Sequence, residues 1–139
     1  MQQPALETAM LSRRSVLIAA LVTSCAVFPA AFAAGPQAFD DKGFAEAQKA
    51  GKPILVAIHA SWCPTCKAQK PILSELMADP KFKNLVYFVV DFDSQKNLVA
   101  HFGARLQSTL IAFKGDKEEG RSVGDTNRAS IAALLNKTL

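Results

Sequence analysis

Trp62-Cys63-Pro64-Thr65-Cys66-Lys67 follows closely on the apolar run Ile54-Leu55-Val56-Ala57-Ile58, and this stretch decides the fold. A run that is apolar at every position reads as a strand covered on both faces. The residues after Cys63 carry helical spacing, so the first thiol stands at the end of a strand and the start of a helix. The first turn of a helix exposes unpaired N–H groups and the positive end of the helix dipole, which favour a thiolate over a thiol. A Cys-X-X-Cys thiol in such a place titrates anywhere from ~3.5 to ~7, against ~8.5 for a free cysteine. Cys63 and Cys66 are therefore expected to form and break a disulfide reversibly. The competing reading is half of a structural zinc site, which needs two more ligands at comparable spacing. His59 and His101 are the two histidines of the chain, they lie far apart in sequence, and no second cysteine pair exists.

The third cysteine, Cys25, belongs to a different part of the chain. Residues 1–33 read as a cleavable signal peptide: Arg13-Arg14 supply the positive region, and Val16 to Phe32 are apolar or small. Ala31-Phe32-Ala33 then offers small residues where a signal peptidase cuts. Pro29 and the many alanines argue against a retained spanning helix. Ser12-Arg13-Arg14 also resembles a twin-arginine signal, although Ile18 stands where that signal often has lysine. Val22-Thr23-Ser24-Cys25 offers a lipoprotein-type alternative, in which Cys25 would tether the product. Cleavage after Ala33 leaves residues 34–139 as one small domain in the periplasm, with both remaining cysteines in the motif. Two thiols at one reactive site, in an oxidising compartment, suit a redox worker and not a disulfide-stapled scaffold. The chain has 16 basic and 12 acidic residues, a net charge of +4. The charges are scattered, so no nucleic-acid partner is expected.

Phe39 to Ala50 reads as a helix, stopped by Gly51 and Pro53. From Cys63 a second helix runs toward Asp79, with Ile72, Leu73, Leu76 and Met77 at core-facing spacing. Pro71 lies inside it and is expected to kink it. Leu85 to Phe92 is a second buried strand, and Gln95 to Phe102 a short helix capped by Gly103. Thr109 to Phe113 and Arg121 to Val123 flank a charged turn from Lys114 to Gly120, a hairpin. Asp125 or Thr126 is expected to cap a last helix carrying Ile131, Leu134 and Leu135. The order predicts an α/β fold, a central mixed β-sheet flanked by helices on both faces. Right-handed crossover sets the second strand beside the first and the hairpin on the other side, so Cys63 emerges from a central strand.

With Trp62 to Lys67, Pro71, Phe102-Gly103-Ala104-Arg105, Thr109 to Gly115 and Gly120 to Gly124 in hand, residues 39–139 resemble the thioredoxin superfamily. The resemblance implies a thioredoxin-like fold, with Cys63 as the attacking thiol and Cys66 as the resolving one. It also implies that Trp62 shields the pair and shapes the substrate surface, together with Pro64, Thr65, Gln107, Ser108 and Thr109.

The departures from that pattern are as informative. Ser108 stands where the family usually has a cis-proline facing the cysteines. A cis bond before a non-proline costs roughly 3–4 kcal/mol, so a trans bond and a remodelled loop are expected, with a hydroxyl able to donate to sulfur. Ala57 and Val89 occupy the places of a buried aspartate and a lysine found in thioredoxins proper. Pro64-Thr65 replaces the Gly-Pro pair, which affects redox poise. His59 is a candidate modulator of the thiol pKa, or a third metal ligand. His101 is expected at the surface.

The function expected is an exported thiol–disulfide oxidoreductase. It would exchange disulfides with protein or peptide thiols, need no cofactor, and be regenerated by a membrane or periplasmic thiol redox partner. It is expected to be a monomer. Its rivals are a soft-metal module holding a copper ion through Cys63, Cys66 and His59, and a non-catalytic adaptor that binds through Trp62.

Overall fold

In a computed structural model the described residues are 35–139. The signal peptide expected over residues 1–33, with Arg13-Arg14 and Cys25, lies outside them. The apolar run became β2 (Pro53–His59), buried from Ile54 to Ile58. It is flanked by β3 (Val86–Asp91) in parallel and by β4 (Thr109–Lys114) antiparallel. β1 (Pro36–Ala38) adds to the far side of β3 and β5 (Lys117–Val123) to β4, giving the five-stranded order β1-β3-β2-β4-β5. The motif strand is thus central, with the second strand and the hairpin on opposite sides of it.

Among the described residues four α-helices accompany the sheet: α1 (Asp41–Lys49), α2 (Pro64–Met77), α3 (Lys96–His101) and α4 (Arg128–Asn136). Asp40 caps α1 by accepting from the Gly43 N–H at 2.7 Å. α2 continues through Pro71 to Met77, and a single 3₁₀ turn, Pro80–Phe82, follows under an Asp79 cap.

Strand alternation sorts the core into two layers. On one face Leu55, Ala57, Leu110 and Ala112 meet Leu73 and Leu76 of α2 and Ile131 and Leu135 of α4. On the other, Ile54, Val56, Ile58 and Ile111 meet Phe44 and Ala47 of α1 and Val99 of α3. That second layer is filled by aromatic rings: Phe44 packs edge-on against Phe88, Phe102 and Phe113 with centroids 5.5–5.8 Å apart. Such pairs add ~0.5–1.5 kcal/mol beyond the area they bury.

The structure departs from the expected boundaries in three places. β1 lies over residues to which the sequence reading assigns no element, and its pairing with Tyr87, Phe88 and Val89 is non-local. The hairpin is tight: Lys114 pairs directly with Lys117, so the charged residues 117–119 are strand and not turn. Gly115 makes this possible, at φ 59° and with the Gln48 carbonyl and Gly51 Cα both 3.3 Å from where a Cβ would stand. Asn127, not Asp125 or Thr126, caps α4, accepting from the Ser130 N–H at 3.0 Å. Asp125 instead accepts from the Asn127 N–H at 2.8 Å and from the Ser130 hydroxyl, two residues before the cap.

Candidate active site

β2 ends at His59, and the chain turns through Ala60 to set Cys63 as the N-cap of α2. The turn is closed by the Cys63 N–H donating to the Ala60 carbonyl at 3.2 Å. Pro64 takes the first helical position, where its missing N–H costs nothing and its fixed φ suits the helix. The cap acceptor is sulfur: the Cys66 N–H donates to Cys63 Sγ at 3.1 Å. Cys63 and Cys66 stand as unbridged thiols, each 2% exposed, and pack with Ala60 and part of Phe92.

The two thiols ionise differently. Burial pushes the Cys63 thiol up, but the Cys66 thiol and N–H, the Ser108 hydroxyl and the Thr65 N–H outweigh it and bring Cys63 below the ordinary thiol value. Burial and the hydrogen bond to Cys63 push Cys66 above it, against smaller opposing effects from the backbone of Ala60 and Ser108. Of the two, Cys63 is thus the sulfur favoured as thiolate and Cys66 the one favoured as thiol.

Ser108 faces this pair from the loop before β4. Among the described residues no peptide bond is cis, so the bond before Ser108 is trans, as expected, and the remodelling falls on φ. Ser108 has φ 56°, the one left-handed non-glycine among the described residues, a conformation costing roughly 1–2 kcal/mol. Three contacts hold it. Its carbonyl accepts from the Gln69 amide at 3.2 Å and from the Gly124 N–H at 3.0 Å. Its hydroxyl donates to the Gln107 carbonyl at 2.6 Å. The hydroxyl has one proton to give, and this short bond holds it while both cysteines are thiols. A charged Cys63 sulfur is the stronger acceptor and competes for that proton. Thr109 is buried beside it, donating through Oγ1 to the Leu106 carbonyl at 2.7 Å.

Trp62 is 55% exposed. Its indole Nε1 donates to the Asp93 carboxylate at 2.7 Å, which fixes the ring's outer edge. Asp93 sits in a turn organised by Asp91, whose carboxylate accepts from the N–H groups of Asp93 and Ser94 and from the Ser94 hydroxyl. Asp93 and Gln69 were not read from the sequence as site residues. Asp91-Phe92-Asp93-Ser94 is a turn signature that could have pointed to the first. Gln69 carried no local signal.

Ala57 faces Val89 across the β2–β3 register, so neither an acid nor a lysine stands at those two positions. His59 is half-buried at the strand end, lining a cavity with Cys66, and is not among the groups that set Cys63. Among the described residues no three His, Cys, Asp or Glu side chains converge to hold a metal ion, so His59 does not complete a ligand set with the two sulfurs. His101 is exposed, as expected, with its ring edge-on to Phe102 at 5.1 Å.

Comparison with known proteins agrees with this geometry. The Thioredoxin family model matches residues 36–137. The thioredoxin of Acidithiobacillus ferridurans is 34% identical over 100 residues, 72% of this chain and 92% of the relative. The thioredoxin of Pseudomonas aeruginosa is 32% identical over 91 residues, covering 66% of this chain and 83% of the relative. Among solved structures, Trxlp from Edwardsiella tarda superimposes with a TM-score of 0.70 at 38% identity, over 73% of this chain and 98% of that one. A strand-end Cys-X-X-Cys capping its own helix, on this sheet order and with these relatives, places the chain in the thioredoxin family as a thiol–disulfide oxidoreductase.

Proposed function

We propose that the protein is exported and works in the periplasm on protein or peptide disulfides, with Cys63 as the attacking thiol and Cys66 as the resolving one. Cys63 thiolate attacks a substrate disulfide and forms a mixed disulfide, releasing the first substrate thiolate. Cys66 then attacks Cys63 Sγ, closing the Cys63–Cys66 disulfide and releasing the second. The reverse sequence oxidises a substrate dithiol.

The observation that supports this division of labour is the Cys66 N–H on Cys63 Sγ at 3.1 Å, which stabilises charge on the first sulfur and offers none to the second. Trp62, Leu106 and the Gln107–Thr109 loop would form the surface a substrate chain lies against. Export rests on the pattern of Arg13-Arg14, the apolar stretch and Ala31-Phe32-Ala33. A protein of that compartment needs regeneration by a membrane electron carrier or another periplasmic thiol protein.

Titration of the domain with glutathione tests the reading. One two-electron transition, absent in Cys63→Ala, is expected; no transition in the unaltered protein would overturn it. A midpoint near ~−270 mV marks a reductase and one near ~−120 mV an oxidase.

A further inference from the structure

The resolving step needs Cys66 as a thiolate, yet burial holds that thiol protonated. A base must therefore reach it. A cavity of about 210 Å³ opens beside Cys66, between α2 and the β2–β3 face of the sheet. Ala57, His59, Cys66, Gln69 and Tyr87 line it, the small side chain of Ala57 leaving room where a longer one would fill it. The space suffices for water, and the imidazole, the amide and the phenol provide polar partners for it.

The ionisable groups around this cavity narrow the choice. From β3, Tyr87 has its hydroxyl pushed up to about 12 by burial and the nearby Cys66, so it holds its proton at neutral pH. Asp91, opposite His59 in the β2–β3 register, spends its carboxylate on Ser94 and Asp93 and is held below the usual carboxylate range, a weak base. From α2, Lys70 presents an ammonium, which has protons to give and no lone pair to accept one. β1 contributes Pro36, which does not titrate. His59 remains, and imidazole is the side chain suited to exchange a proton near neutral pH.

Building on the exchange reading above, we propose that His59 accepts the Cys66 proton in the resolving step, through water held in this cavity. The proton leaves Cys66 Sγ and passes by water to the His59 imidazole. The Cys66 thiolate attacks Cys63 Sγ of the mixed disulfide. The Cys63–Cys66 bond forms as the bond between Cys63 and the substrate sulfur breaks, and the electron pair departs on that substrate sulfur. The imidazolium then returns its proton to the leaving thiolate or to solvent. The cysteine pair loses two electrons and the substrate disulfide gains them.

The test uses the reduced protein with 5,5′-dithiobis(2-nitrobenzoate), which releases one coloured thiolate on attack and a second on resolution. In His59→Gln and His59→Ala the first release should match the unaltered protein within about twofold, which also reports correct folding. The second should slow about a hundredfold at neutral pH, in line with the usual contribution of a positioned base. Added imidazole should restore part of the second release in His59→Ala. A second release unchanged in rate would overturn the role of His59, and so would a slowed one that imidazole does not restore. Failure of the unaltered protein to give the first release would instead overturn the exchange reading itself.

Discussion

The side-chain amide of Gln69, one turn beyond Cys66 on α2, donates to the Ser108 carbonyl at 3.2 Å and to the Asp125 carbonyl at 2.9 Å. One buried side chain thus ties the helix carrying both thiols to the loop that faces them and to the segment leading into α4. The amide satisfies two carbonyls that would otherwise lose a partner, and it fixes the distance between Ser108 and the sulfurs.

Gln69→Ala should therefore destabilise the domain by about 2 kcal/mol, the net worth of two hydrogen bonds with some lost packing. For a domain of this size that is a fall in Tm of roughly 10 °C. Gln69→Glu keeps the shape but turns a donor into a carboxylate facing two carbonyls, and should cost at least as much at neutral pH. Thermal unfolding followed by circular dichroism checks both; an unchanged Tm in Gln69→Glu would refute the tether.

Ser108 should respond to substitution according to its backbone. Ser108→Gly removes the left-handed penalty but loosens the unfolded chain, so stability should stay within about 1 kcal/mol. Ser108→Pro demands φ near −65° where the chain has 56°, and removes the N–H directed at Cys66. Its cost should reach about 3 kcal/mol, read from urea unfolding. A proline variant as stable as the parent would contradict the loop geometry.

The two thiols should titrate apart. Cys63 lies below the ordinary thiol value and Cys66 above it, so alkylation of Cys63 by iodoacetamide should persist as pH falls, down to its own lowered midpoint. Cys66 should become reactive only at alkaline pH. Ser108→Ala removes one donor to the Cys63 sulfur and should move the Cys63 midpoint upward. Mass spectrometry of the alkylated peptides across pH separates the two sites; coincident midpoints would contradict the assignment.

The proposed export makes a separate statement about the N-terminus. Protein recovered from the periplasm should begin at Ala34, as Edman sequencing would show. A lipidated product beginning at Cys25 would replace the soluble form with a tethered one.

Much of this was legible in the sequence because it was local. The unbroken apolar run of β2, the cap position of Cys63 and the positive-φ glycine after α3 each leave a mark within a few residues. The order of the strands followed from right-handed crossover. What was not legible depended on distant partners. β1 is three residues long and exists through its pairing with Tyr87 to Val89. Gln69 reads as one more polar residue of a surface helix, and its burial follows from two carbonyls supplied by loops 39 and 56 positions away. Trp62 and Asp93 are 31 positions apart. At the start of α4, Asp125, Thr126 and Asn127 are all competent caps, and local pattern could not choose among them.

The account stands or falls on the order in which the sulfurs act. Cys66→Ala should trap a substrate disulfide on Cys63 as a stable mixed disulfide, visible by mass spectrometry and released by dithiothreitol, because attack survives and resolution does not. Cys63→Ala should trap nothing and should lose dithiothreitol-driven reduction of a protein disulfide. Normal turnover in Cys63→Ala, or trapping on Cys66 in place of Cys63, would contradict it.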